Sequence, residues 1–303
     1  PPPPTAPPPG AARAASASCP RASPGAPAPG SVPGAAPDPR PTAPPGQPAP
    51  PDPTAALSLR ALWKRFGEKI AVAGIDLDVP AGSFYGLVGP NGAGKTTTLS
   101  MATGLLRPDA GSAHVHGTDL WADPVAGKRQ LGVLPDGVRL FDRLTGAQLV
   151  TYAGLLRGMD RDTVAERTTE LLAALDLAKD ANTFVVDYSA GMTKKIALAT
   201  ALIHAPRTLV LDEPFEAVDP VSAANIRDIL AGYVASGGTV VVSSHVMDLV
   251  QRMCDHVAVV AGGHVLAAGT VDAVRGDQSL EDRFVELVGG RQSTEGLAWL
   301  RSS

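Results

Sequence analysis

The chain has 303 residues, 44% of them hydrophobic, and a formal net charge of −4. It therefore lacks the basic excess of a nucleic-acid-binding surface, and no nucleic-acid partner is expected. Its two cysteines, Cys19 and Cys254, are too few for a disulfide framework and fit a reducing compartment. No apolar run approaches the roughly 18 residues needed to cross a bilayer, so any membrane role is peripheral.

Residues 1–54 are mostly Pro, Ala, Gly and Ser, without Leu-rich or aromatic content. Such a segment buries too little apolar surface to offset its chain entropy, and it is predicted to be a disordered, polyproline-like tail acting as a passive linker or a docking arm. It has no signal-peptide core, and Cys19 is a poor site for a lipid anchor. The ordered domain is predicted over 55–290, followed by a short tail at 291–303. "LSLRALWKRF" (57–66) and "IDLDVP" (75–80) alternate apolar and polar residues, as half-buried strands do. "SFYGLVG" (83–89) is continuously apolar and runs into a glycine, the pattern of a central strand feeding a loop. "TTTLSMATGLL" (96–106) is predicted to continue as one helix until "RPDAG". Two further apolar strands, "TLVLD" (208–212) and "TVVVSSH" (239–245), complete a parallel α/β pattern. Ahead of these two strands, residues 140 to about 200 are predicted to be a mostly helical insertion. Thr145 and Gln148 have capping-box spacing, with Leu149, Tyr152, Leu155 and Leu156 on one helical face. A second helix carries Val164, Leu171, Leu172 and Leu175. The longest apolar run, "HVAVVAGGHVLAAGT" (256–270), is broken by glycines.

"GPNGAGKTTT" (89–98) matches the phosphate-loop pattern G-x-x-x-x-G-K-[ST] in full, between a strand and a helix. Gly89, Gly92 and Gly94 let backbone N–H groups close around phosphate oxygens. Lys95 reaches the β- and γ-phosphates, Thr96 offers a hydroxyl to Mg²⁺, and the helix directs its positive end at the same ligand. Asp212 ends an apolar strand, where a Mg²⁺-holding carboxylate belongs, and Glu213 after it can polarise a water. His245 follows a buried strand at the edge where ligands bind. In "HVH" (114–116) two imidazoles are expected on one strand face, without the partners a metal site needs.

"GPNGAGKTTT", "YSAGM" (188–192), "LVLDEP" and "VVVSSH", in this order and spacing, resemble the ATP-binding cassette (ABC) subunits of transporters, over about residues 57–290. The resemblance implies an α/β P-loop NTPase core of ABC type, with a small β subdomain and a helical subdomain insertion. It also implies that Phe66 stacks on adenine. Gly89, Pro90, Asn91, Gly92, Ala93, Gly94, Lys95, Thr96 and Thr97 hold the phosphates of ATP, and His245 contacts the γ-phosphate. Ser189 and Gly191 close on the ATP of a second copy, and Asp219 belongs to the loop linking the two sites. "SLEDRFVELVGG" (279–290) corresponds to a short helix after the core. Because the helical insertion separates the phosphate loop from "YSAGM", a head-to-tail homodimer is expected to complete each site and give Glu213 a drier setting.

Two departures stand out. The signature is usually L-S-G-G-Q; here Ser189 and Gly191 remain, and Met192 replaces the amide. The family places Gln where this chain has Asp136. A carboxylate cannot donate a hydrogen bond. Within about 5 Å of a phosphate charge it costs roughly 3 kcal/mol per unit charge at an effective dielectric near 20. An intervening Mg²⁺ reverses that sign, so Asp136 is expected on the metal side with Thr96 and Asp212. The expected function is ATP hydrolysis that powers a separate membrane permease, on the cytoplasmic face of the cell membrane, in an export-type transporter for a drug or lipid. The alternatives are a non-transport cassette ATPase acting on ribosomes or DNA, disfavoured by the single phosphate loop and the lack of heptads, and a small-molecule kinase, which would not need "YSAGM".

Overall fold

The computed structural model describes residues 50–289. Most of the predicted N-terminal tail, and the tail at 291–303, lie outside the described residues. Residues 50–54 are already tied down: Arg60 Nε donates to Pro50 O at 3.1 Å, and Thr54 N donates to Asp52 Oδ1 at 2.8 Å.

Two sheets form the frame. The first is antiparallel, built from β1 (Ala55–Phe66), β2 (Lys69–Pro80), β4 (Ala110–Val115) and β5 (Thr118–Asp119), in the order β2-β1-β4-β5. The second contains β3 (Phe84–Val88), β6 (Leu131–Leu134), β7 (Thr208–Asp212), β8 (Thr239–Ser244), β9 (His256–Ala261) and β10 (His264–Thr270), in the order β10-β9-β3-β8-β7-β6. All its pairings are parallel except the β9–β10 hairpin. That hairpin turns through Gly262 and Gly263 at φ +57° and +80°, the two left-handed residues of a tight primed turn.

The apolar runs of the second sheet are continuous because both faces are covered. Phe84 and Val88 of β3, Leu209 and Leu211 of β7, and Val240 and Val242 of β8 face a core shared with the helices. Their neighbours Tyr85, Leu87, Val210 and Val241 face the opposite way, into a core shared with Leu57, Leu59 and Ile75 of the antiparallel sheet. The period of two thus separates one sheet's side chains into two cores. β1 departs from the predicted half-burial: Ala55 to Arg60 are all buried, because this stretch pairs with β2 and β4 along its two edges while one face meets that core.

Helices α1 (Lys95–Ala102), α2 (Pro124–Arg129), α3 (Gly146–Leu156), α4 (Arg161–Ala174), α5 (Ala190–Leu202), α6 (Pro220–Ala235), α7 (Met247–Met253), α8 (Val271–Arg275) and α9 (Leu280–Leu287) complete the described chain. Helices α3 to α5 form the predicted insertion between β6 and β7. The Thr145–Gln148 capping box is present in both directions. α9 is the short helix anticipated after the core, capped by Ser279.

Three further expectations are corrected. α1 ends at Ala102 instead of running to Leu106: Gly104 turns left-handed at φ +72°, and Leu105 N and Leu106 N both return to Ser100 O, at 2.9 and 3.0 Å. On α3, Leu149 is buried, but Tyr152, Leu155 and Leu156 are exposed. The helix packs instead through Leu149, Val150 and Gly154. A methyl group at Gly154 would come within 2.8 Å of Val164 Cγ2, so the absent side chain is what lets α4 approach on that side. The two histidines of "HVH" do not share a face. His116 lies past the end of β4 at φ +45° and pairs with Thr208 Oγ1 at 2.9 Å, whereas His114 Nε2 is 3.8 Å from Asp119.

Candidate nucleotide site

Strands β6, β7, β8 and β3 are consecutive neighbours, so the segments leaving their carboxyl ends converge at one edge of the sheet. These segments carry Asp136, Glu213, His245 and the phosphate loop. The cleft between them has a volume of about 390 Å³, and Phe66, Asn91 to Thr97, Asp136, Glu213 and His245 all line it.

The loop's path depends on its glycines. Gly94 has φ +106°, and a Cβ there would lie 2.5 Å from Ala71 O. A Cβ at Gly89 would lie 2.1 Å from Val260 O. Gly263, in the β9–β10 turn, donates from its N to Ala93 O at 2.9 Å and accepts from Ala73 N at 2.9 Å. The turn thus braces the loop against the antiparallel sheet. Lys95 is buried, and its Nζ donates to Gly89 O at 2.8 Å and contacts Pro90 O at 3.3 Å. Thr96 lines the cleft and is exposed.

Glu213 follows β7 with a left-handed backbone at φ +46°, a conformation that costs a non-glycine residue roughly 1–3 kcal/mol. Its N–H donates to Ser243 Oγ at 3.0 Å, and its carbonyl accepts from Lys194 Nζ at 3.0 Å. The resulting kink brings the carboxylate into the cleft: Oε1 lies 3.7 Å from Lys95 Nζ, and Oε2 lies 3.1 Å from His245 Nδ1. Asp212 sits below the cleft. It is buried, and its Oδ1 accepts a short hydrogen bond from Ser243 Oγ. Ser243 therefore holds both acidic residues at the end of β7 in register. Asp136 is half exposed, accepts from Gly137 N at 2.8 Å, and lies 3.9 Å from Lys194 Nζ. The Phe66 ring is exposed on the rim, 5.7 Å from Lys64 Nζ.

Ser189, Gly191 and Asp219 are not among the residues that line this cleft. Ser189 caps α5, accepting from Met192 N at 3.3 Å. Met192 packs its side chain on the helical core, so the lost amide is replaced by an apolar anchor. Asp219 caps α6 through Val221 N and Ser222 N, and the bonds from Ser222 hold its carboxyl below the usual carboxylate range. Its Oδ2 would lie 3.6 Å from a Cβ at Gly191, so the cap of α6 and the start of α5 are neighbours.

The ABC transporter family model matches residues 72–216, which include the phosphate loop, the signature and both acids. The chain is 35% identical over 223 residues to the daunorubicin/doxorubicin resistance ATP-binding protein DrrA of Streptomyces peucetius, covering 74% of this chain and 68% of that one. This chain belongs to the ABC transporter family. The ABC ATPase is also 35% identical over 222 residues to the Nod factor export ATP-binding protein I of Burkholderia lata, covering 73% of both chains. Among solved structures, an ATP-binding subunit of an ABC transporter superposes with a TM-score of 0.72 at 27% identity, covering 77% of this chain and 99% of that one. The molecule is accordingly an ATP-binding subunit of an ABC transporter, whose ATP hydrolysis drives transport. No helix among its described residues is long and apolar enough to cross a membrane.

Sequence reasoning missed four polar residues of this ABC ATPase. Ser243 was visible in "VVVSSH" but was passed over for the histidine beside it. Lys69 and Glu216 also line the cleft, and Lys194 reaches the Glu213 carbonyl from α5. The signal for Lys194 was the basic pair after "YSAGM", whose direction only the helix reveals.

Proposed function

We propose that this protein hydrolyses ATP at a site completed by a second copy of itself and thereby powers an export-type permease from the cytoplasmic face of the membrane. The observation that carries the catalytic part is the position of the Glu213 carboxylate, between Lys95 and His245 in a glycine-braced cleft. In this reading the N–H groups of Gly89 to Thr97 and the Lys95 ammonium bind the phosphates of ATP, with Phe66 stacked on the base. Glu213 accepts a proton from the attacking water, and His245 holds the γ-phosphate.

The side chains present fit a divalent cation of the Mg²⁺ type. Thr96, Asp212 and Asp136 offer only oxygen donors, as this cation requires. No group of three or more His, Cys, Asp or Glu converges among the described residues, so phosphate oxygens and water would complete the metal's shell. The bound ion would neutralise charge on the phosphate oxygens.

A permease partner is supported by the helical insertion, where Phe141, Tyr152, Leu155, Leu156, Phe184 and Val186 are exposed. Phe141 and Tyr152 pack edge to face at 5.6 Å, an apolar surface available to a partner helix. Export of a drug or lipid is the reading supported by the likeness to resistance and export ATP-binding proteins. Purification from membranes with an integral membrane protein attached, followed by ATPase assays with candidate cargoes, tests the reading. Recovery without any membrane partner, together with an ATPase indifferent to every amphipathic compound, would overturn it.

A further inference from the structure

Helix α5 starts at the signature, yet its first turns reach back to the chain's own cleft. Lys194, five residues after the Ser189 cap, is mostly buried, with 16% of its side chain exposed. Its Nζ donates to Glu213 O at 3.0 Å and lies 3.9 Å from Asp136 Oδ1. Asp136, Tyr188, Thr193, Lys194 and Glu216 line the hollow beside it. From this geometry we infer that Lys194 is a positioning residue for hydrolysis, holding Glu213 in its left-handed turn and offsetting the charge of Asp136. The inference rests on the role proposed above for Glu213.

The Glu213 carbonyl is fixed from two sides, since Glu216 N also donates to it, at 3.2 Å. With φ at +46°, the backbone of Glu213 stays in this turn only while its surroundings hold it there. The Lys194 bond is the side-chain member of that pair. Without it the peptide can relax, and the carboxylate then leaves the line between Lys95 and His245. The same ammonium answers the question raised by Asp136. A carboxylate at this position repels a phosphate, and a cation of the chain's own beside it removes much of that repulsion before any metal is bound. Lys194 thereby links the residue that departs from the family pattern to the residue proposed as base.

The test uses the full chain with its membrane partner. Lys194→Ala is expected to lower kcat about tenfold while leaving ATP affinity within about twofold and the melting temperature nearly unchanged; a tenfold loss is the size expected when one orienting contact is removed. Lys194→Arg is expected to restore most of the rate, because guanidinium keeps both the donor and the charge. In the Asp136→Asn background, Lys194→Ala should cost less than in the wild type, since the charge it offsets is gone. A wild-type kcat for Lys194→Ala would overturn the inference. A loss that follows KM or melting alone, or strict additivity with Asp136→Asn, would overturn it as well. Glu213→Gln turning over at the wild-type rate would instead remove the base reading itself, and this inference with it.

Discussion

The Glu213 carboxylate and the His245 imidazole are in direct contact: Oε2 of the acid lies 3.1 Å from Nδ1 of the histidine. The two arrive from adjacent strands, β7 and β8, and the contact needs the left-handed backbone at Glu213. The contact orients the acid, whose side chain is only 12% exposed. Glu213→Gln keeps the shape and the packing but cannot accept a proton. Its kcat should fall at least about 100-fold, with ATP still bound and the dimer accumulating. Phosphate release and light scattering check the two halves of that expectation.

The proposed arrangement in which two copies share each site makes a sharper prediction. Lys95→Ala and Ser189→Arg should each abolish hydrolysis in a homodimer. When the two variants are mixed, the heterodimer has one site that joins an intact phosphate loop to an intact signature. ATPase activity should therefore return on mixing, towards half the wild-type value per heterodimer. Absence of recovery in heterodimers verified by mass would exclude the shared site.

Gly94→Ala tests the cradle itself. The added methyl would meet Ala71 O at 2.5 Å, at a backbone φ of +106°. We expect a stability loss of about 1–3 kcal/mol in urea unfolding and loss of ATP binding by calorimetry. Gly92→Ala has open space at its Cβ but φ +79°, and should be the milder variant by both measures.

His204 gives a pH dependence with a definite sign. Burial, then the nearby Arg157 and Arg167, push its pKa down to about 4, against the opposing effect of its contact with Leu131 O at 2.9 Å. Between its ordinary value of 6.5 and about 4, the unfolded chain takes up a proton that the folded chain refuses. The stability from this group is therefore full above that ordinary value and is lost as pH falls towards the folded one. Urea midpoints should drop between about pH 7 and about pH 5, and His204→Gln should flatten the drop.

The chemistry at the strand ends was legible because it is local in sequence. The phosphate loop, Asp212–Glu213 and His245 each announce themselves within a few residues of an apolar strand. The two cores were also foreshadowed, since an unbroken apolar strand has to be covered on both faces. The facing of α3 was not legible. Tyr152, Leu155 and Leu156 form an apolar stripe by periodicity, but α4 packs close to Gly154, and a missing side chain carries no weight in a hydrophobic pattern. Lys194 was hidden for a related reason: its partners lie 19 and 58 residues away along the chain, and only the packing of α5 on the β7 loop brings them together.

The β9–β10 turn bears on how the protein comes into being. The phosphate loop spans residues 89–98, but the backbone that braces it lies at Gly263, more than 160 positions later. During synthesis the loop leaves the ribosome long before its brace. A nascent chain that stops short of the hairpin carries the whole motif without the wall it leans on, and should not retain nucleotide. Acquisition of ATP would then report that the β9–β10 hairpin has closed on the loop.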